Sequence, residues 1–387
     1  MTRVAVLVPT LAPGGAERAS LQIAGELVRR GHDVDLLVAH DGLGAESLPL
    51  PDGVRSLTLA RSRTAASVPA LARHLRRTRP AALLAAVTHA NVAAVLAARL
   101  ARCGTRVVVV EHTDLLHGLS LRENRRARLM PLMARLAYPR ASARVAVSTG
   151  VADALVQAAG VPRASIQVLP NPIDAARLRR LAREPVTDAW WHADTGPVVL
   201  GLGRLVADKD FPTLIRAFAH VRRGRPCRLA IIGEGGERPR LERTIAELGL
   251  EPDARLLGYR ANPYPYIAAA GALVLSSTSE GLPTALIEGA LLDVPVVATD
   301  CGRGVREILE AADGGRLVRP RDVEGMAAAI AEALDGSVPS GGDALAERFD
   351  VRAVVDAYEK LLLGAEPARA DADFSTTGRI VTPIAAG

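Results

Sequence analysis

A chain of 387 residues, 49% apolar and 23% charged, exceeds one ordinary core and suits two soluble domains. No apolar run reaches the roughly 18 residues of a membrane span, no early apolar run ends in a cleavage signal, and Cys103, Cys227 and Cys301 lie too far apart for a disulfide framework or a zinc spacing. The formal charge of +6 divides unevenly, with 22 basic and 11 acidic residues through Pro170 and 26 and 31 after it. That asymmetry turns the first half toward an anionic partner, and the absence of a leader and of paired cysteines leads us to expect a cytoplasmic protein.

Taken in chain order, short β-branched runs alternate with longer amphipathic stretches. The first half predicts strands at 4–8, 34–38, 54–59, 82–87, 106–111 and 144–147, with helical patterns such as 16–29 and 91–101 between them. The pattern then restarts, with strands at 198–202, 229–232, 255–257, 272–275 and 294–298 and helices at 211–222, 239–248, 284–292 and 323–334. Such alternation predicts an α/β fold of two Rossmann-like, doubly wound parallel-sheet domains. Two prolines make Leu169-Pro-Asn-Pro-Ile-Asp174 a poor helix and a poor central strand, so the junction is placed there. The expected domains are 1–170 and 171–350, with a helix at about 351–363 returning to the first. The aperiodic tail 364–387 is expected to be disordered.

The most specific segment is Ser279-Glu-Gly-Leu-Pro-Thr-Ala-Leu-Ile-Glu288, after an apolar strand and opening a helix. Gly281 permits an unusual turn and Pro283 suits the first helical position. The N–H groups of Gly281, Leu282, Pro283 and Thr284, proline excepted, would meet a diphosphate at the positive end of the helix dipole. Thr284 and Glu288, four apart, share one helix face, where a carboxylate can accept from a ribose diol. Glu280, on the loop, can reach a sugar hydroxyl. The same residues also describe a plain capped helix. Arg204 and Lys209 sit on the glycine-bearing loop Gly201-Leu-Gly-Arg-Leu-Val-Ala-Asp-Lys-Asp210, where two cations could neutralise a departing diphosphate. The alternative is a solvated loop in which Lys209 pairs with its flanking aspartates. Pro13-Gly-Gly-Ala-Glu-Arg18 follows the first strand without the full spaced glycine fingerprint. His112 ends another strand, which suits either a ligand contact or a structural role. The pairs Asp33/Asp35, Asp208/Asp210 and Asp371/Asp373 lack companions suited to a divalent metal and read as structural.

At these residues the chain resembles family 4 of the retaining glycosyltransferases, also called group 1, from about Arg3 to Leu363. The pieces run in the family's order: Gly14-Gly15-Ala16-Glu17, Arg30-Gly-His-Asp-Val34, Glu111-His112, Leu169-Pro-Asn-Pro-Ile173, Gly203-Arg204 with Lys209, Ile232-Gly-Glu-Gly235, Glu280 with Glu288, and Pro295-Val-Val-Ala-Thr-Asp300. The resemblance implies the GT-B fold, with both domains facing a central cleft, and a retaining transfer that needs no metal or other cofactor. By the same resemblance Arg204 and Lys209 hold the donor diphosphate, Glu288 the ribose, and Glu280 the transferred sugar. His112 lies near that sugar and Gly15 admits the donor. UDP-sugars are the default donors, and the acceptor is a saccharide, a lipid-linked saccharide or a natural-product hydroxyl. A nucleotide-sugar-binding regulatory paralogue and a sugar-nucleotide epimerase are the alternatives. Two positions depart from the family: Asp293 stands where glycine is usual, and Cys301-Gly-Arg-Gly304 replaces paired glycines, bringing Arg303 toward the donor sugar or the acceptor.

The stretch from Leu121 to Arg144 holds seven arginines and one acidic residue among Leu121, Leu129, Met130, Leu132, Met133 and Leu136. As a helix, with Pro131 a kink or break, it suits peripheral docking on an anionic inner membrane face, with Arg73, Arg76, Arg77 and Arg79 adding charge. The other reading is a helix packed on its sheet with a solvated arginine face. Nucleic acid is not expected, because aromatic residues for base stacking are only 3% of the chain.

Overall fold

The computed structural model describes residues 1–41, 47–60, 63–116, 125–192, 196–339 and 341–364, with 125–128 as backbone only. The chain divides into two compact units, Met1–Ile173 rejoined at Phe349, and Asp174–Arg348. Expected features at 121–124 and in the tail from 365 lie outside the described residues.

The first unit contains β1 (Arg3–Val8), β2 (Asp33–Val38), β3 (Arg55–Thr58), β4 (Ala82–Ala86), β5 (Arg106–Glu111), β6 (Ala143–Ala146) and β7 (Ile166–Val168), in the order β3-β2-β1-β4-β5-β6-β7. The second contains β8 (Val198–Leu202), β9 (Arg228–Ile232), β10 (Ala254–Gly258), β11 (Ala272–Leu275), β12 (Val296–Thr299) and β13 (Arg316–Val318), in the order β10-β9-β8-β11-β12-β13. Every pairing is parallel. Helices on both faces explain why the central strands are unbroken apolar runs: Val4–Val8 and all of β4 are buried, whereas the edge strand β3 is exposed. In the second unit Leu214 and Phe218 of helix Phe211–Gly224 and Met326 and Ile330 of helix Val323–Leu334 share a core with Leu229 and Ile231. Truncating a core phenylalanine such as Phe218 to alanine costs about 3–5 kcal/mol.

The observed elements differ from the expected ones at the margins. The edge strands β7 and β13 have three residues each, too few to show a period. Strand β12 begins after Pro295, which has no N–H for the ladder, although its carbonyl accepts from Leu273 N at 2.9 Å. Pro131 lies within helix Arg125–Ala137. Pro283 is not the first helical residue but the extended residue before it.

Helix Val351–Leu363 belongs to the first unit. Asp350 caps it, accepting from Arg352 N and Ala353 N at 3.0 and 2.9 Å. Arg30, just beyond helix Gly15–Arg29, donates to Asp356, to Glu359 at 2.7 Å and to Arg352 O at 2.9 Å, and His32 Nε2 meets Glu359 Oε1 at 2.9 Å. Tyr358 and Leu362 are buried beneath.

In each sheet the strand order reverses at its middle, between β1 and β4 and between β8 and β11. Open parallel sheets bind ligands beyond the carboxyl ends of the strands at such a reversal.

Candidate active site

At the reversal in the second unit, the loops after β8 and β11 leave adjacent strands. They are tied by hydrogen bonds: Ser276 Oγ donates to Lys209 O at 2.7 Å, and Thr278 N donates to Asp208 O at 2.8 Å. A third loop, Gly233-Glu-Gly235 after β9, closes from the other side. Gly233 has φ +147°, and any Cβ there would collide with the carbonyl oxygen of Gly203. Two main chains thus touch where only glycine fits, which accounts for that short motif.

The tied loops bring Lys209 to Glu280. Lys209 Nζ lies 2.5 Å from Glu280 Oε1, which also accepts from Ser277 Oγ at 2.6 Å. The flanking Asp210 instead accepts from Thr213 Oγ1, through Oδ2 at 2.7 Å. Lys209 and Glu280 keep 23% and 12% of their side-chain surface, so the pair is partly desolvated and open on one side. Arg204 is exposed on the same loop, and no described carboxylate pairs with it. Its guanidinium is thus available to an anion.

Helix Thr284–Leu291 starts beyond this pair, with Leu282 and Pro283 buried, Thr284 half-buried and Gly281 at the turn. Glu288 is buried one turn in, and Tyr264 Oη donates to its Oε1 at 3.4 Å. The loop after β12 lies against the main chain of Glu280: a Cβ on Gly302 would stand 3.0 Å from Glu280 O. Cys301 is half-buried there, and burial, then the charge of Glu280, pushes its thiol up to about 12. Arg303 opens the next helix, Arg303–Ala311. Asp293 sits in the turn after helix Thr284–Leu291 with φ +57°, the left-handed region that accounts for glycine being usual there.

Gly15 and His112 belong to the first unit. Gly15 is exposed and opens helix Gly15–Arg29 at the carboxyl end of β1. His112 follows β5, half-buried; desolvation draws its imidazole down to about 4, so it is neutral at pH 7. Beside it, Glu111 is fully buried and bonded to Thr88, Tyr138 and two main-chain N–H groups. Burial raises its carboxyl, and those four hydrogen bonds pull it back. Nothing in the local sequence around Tyr138, Thr88 or Tyr264 marks partners 23 to 27 residues away, and Ser277, three residues before Glu280, carries no motif that singles it out.

The Asp-x-Asp pairs have structural partners in the described residues. Asp33 accepts from Arg3 Nε at 2.7 Å, and Arg55 bridges Asp33 and Asp35. Asp371/Asp373 lies outside those residues. Among the described residues no three His, Cys, Asp or Glu side chains form a metal-holding group.

Two family profiles match the chain, "Glycosyltransferase Family 4" over residues 13–177 and "Glycosyl transferases group 1" over residues 196–336. One relative is the Campylobacter jejuni N-acetylgalactosamine-N,N'-diacetylbacillosaminyl-diphospho-undecaprenol 4-alpha-N-acetylgalactosaminyltransferase, 31% identical over 58% of this chain and 59% of its own length. Another is the lipopolysaccharide core biosynthesis glycosyltransferase LpsE of Rhizobium meliloti, 33% identical over 43% of this chain and 49% of its own. The chain therefore spans about half the length of these relatives. Among solved structures, Anabaena HepE in complex with UDP and glucose superposes with a TM-score of 0.75 at 23% identity, covering 94% of this chain and all of that one. Sucrose-phosphate synthase from Thermosynechococcus elongatus gives the same TM-score at 18% identity over 94% of this chain and all of its own. With both halves matched in order and both sheets of the GT-B fold in place, the chain belongs to the group 1 glycosyltransferases, family 4.

Proposed function

We propose that this protein transfers a sugar from a nucleotide-sugar donor, by default a UDP-sugar, to a hydroxyl of a saccharide, lipid-linked saccharide or natural product, with retention and without a metal. The observation that carries this reading is the joined Lys209–Glu280 pair at the reversal of the second sheet, with Arg204 and Glu288 on adjoining segments. In the transfer, the bond between the anomeric carbon and the diphosphate breaks, and its electron pair leaves with the diphosphate. Arg204 and Lys209 neutralise the charge that grows there, as a metal does in other enzymes. The acceptor oxygen bonds to the same face of the sugar and its proton passes to the departing phosphate oxygen. By the family resemblance Glu280 accepts from a sugar hydroxyl, Glu288 accepts from the ribose, and His112, neutral at pH 7, is assigned to the transferred sugar. The UDP bound by Anabaena HepE supports the base preference. Incubation with a panel of nucleotide sugars and acceptors tests the reading. Glycosidic product is expected; epimer formation without acceptor, or binding without turnover, overturns it. Equal thermal shifts from UDP, GDP and ADP would remove the preference for UDP.

We infer that the acceptor is reached at an anionic bilayer. Helices Thr88–Ala101 and Arg125–Ala137 pack together and leave Leu96, Leu100, Leu129, Leu132 and Leu136 exposed at 45–60%, with Met133 beside them. Arg99 and Arg135 lie on the same two helices. Exposed apolar side chains on helices that also carry arginine fit a negatively charged interface better than a protein partner of mixed charge. Among the described residues no helix is long and apolar enough to cross a membrane, so the attachment proposed is peripheral.

A further inference from the structure

Strand β5 runs Val107-Val-Val-Val110 and then ends on a carboxylate with none of its surface exposed, Glu111. A valine would fill that position at no electrostatic penalty, so packing does not explain the acid. Four donors converge on it. Thr88 Oγ1 and Tyr138 Oη donate to Oε2 at 2.8 and 2.7 Å; His112 N and Thr113 N donate to Oε1, both at 3.1 Å. Asn91 Nδ2 donates to Tyr138 Oη at 2.9 Å and so directs the phenolic proton onto Glu111. An acceptor-only carboxylate satisfies all four donors at once. One oxygen is thus anchored to rigid elements, the start of helix Thr88–Ala101 and the turn at Tyr138, while the other grips the main chain of residues 112 and 113. Val87, just before Thr88, holds φ +75°, which β-branched residues rarely adopt. Such outliers persist where the surroundings over-determine them, and they cluster at working sites.

We propose that Glu111 is a positioning residue for His112: its buried carboxyl fixes the 111–113 main chain and so fixes the orientation of the imidazole assigned above to the transferred sugar. This rests on the assignment of His112 made above. The test compares Glu111→Gln, Tyr138→Phe, His112→Ala and the double variant Glu111→Gln/His112→Ala. Glu111→Gln is expected to lower kcat by about 10- to 100-fold, as small misplacements of reacting groups do, while KM for the nucleotide sugar stays near wild type. Tyr138→Phe keeps the ring, removes one donor of four, and gives an intermediate loss; it carries the test if Glu111→Gln does not fold. In the double variant, Glu111→Gln adds little to the loss from His112→Ala, because nothing remains to be positioned. A second readout is independent of turnover: the ring C–H resonance of His112, sharp in the wild type, shifts and broadens in Glu111→Gln and in Tyr138→Phe. Losses that multiply in the double variant, or an unmoved resonance, overturn the proposal. Normal kcat in His112→Ala alone overturns instead the assignment of His112, and the resonance still reports whether Glu111 holds the ring.

Discussion

Lys209→Ala and Arg204→Ala remove one cation each from the same loop, yet the structure separates their consequences. Lys209 Nζ and Glu280 Oε1 are 2.5 Å apart. At an effective dielectric of about 20 their attraction is about 7 kcal/mol, most of it offset by taking both charges out of water. Deleting only the lysine keeps the desolvation of Glu280 and removes its compensation. A fully buried pair would lose about 3–5 kcal/mol. With Lys209 at 23% and Glu280 at 12% exposure, water recovers part of this, and about 1–3 kcal/mol is expected. In a unit of 175 residues, Asp174–Arg348, that lowers the melting temperature by about 2–12 °C. Arg204, exposed and without a described carboxylate partner, leaves it unchanged. Both variants should lose about 100-fold or more in kcat if they neutralise the leaving diphosphate. The double variant Lys209→Ala/Glu280→Gln should regain most of the lost melting temperature without regaining activity. Calorimetry and steady-state kinetics on the four proteins decide the matter. If Lys209→Ala melts with the wild type, or the double variant melts no higher than the single one, the ion pair contributes nothing and the reasoning fails.

His112 binds a proton at about 4 when folded and near 6.5 when unfolded, so the folded state resists protonation. Its share of stability is complete above pH 6.5 and is lost as the pH falls toward 4, by at most about 1.4 kcal/mol per unit. Denaturant melts from pH 7 to 4.5 should therefore be shallower in His112→Asn, and equal slopes would reject the shift. A pH–rate limb near 6.5 that His112→Asn abolishes would contradict a neutral ring. EDTA should leave turnover within about 2-fold if, as proposed, Arg204 and Lys209 meet the diphosphate; a strict requirement for Mg²⁺ or Mn²⁺ would overturn the proposed metal-free mechanism. The double variant Leu132→Asp/Leu136→Asp should stop sedimentation with anionic vesicles while its soluble-acceptor turnover stays near wild type. Equal sedimentation of wild type and variant, or none by either, counts against the bilayer.

The two sheets were legible because a buried parallel strand must be an apolar run and its covering helices must be amphipathic, and both signals are local. The candidate donor-side residues were legible as types: Arg204 follows β8, Glu280 lies on the loop after β11, and Glu288 sits one turn into the next helix. Their partners were not. Lys209 reads locally as a lysine between two aspartates, and only the adjacency of β8 and β11 hands it to Glu280, 71 residues away. Tyr138 follows an arginine-rich helix and gives no hint that it serves a carboxyl 27 residues earlier. Asp293 was visible as a departure from the family, but the reason, a left-handed turn, lies in the backbone.

Helix Val351–Leu363 is made after the second unit yet completes the unit made before it. Between Ile173 and Phe349 a ribosome must add the whole second unit, which at about 5–20 residues per second takes roughly 9–35 s. For that interval the apolar surface destined for Tyr358, Leu361 and Leu362 has no cover, and Arg30 and His32 lack their carboxylate Glu359. The second unit, continuous in the chain, can fold while the first waits. A nascent chain stalled before residue 351 should thus expose its first unit, rather than its second, to chaperones and proteases, the reverse of what order of synthesis alone would dictate.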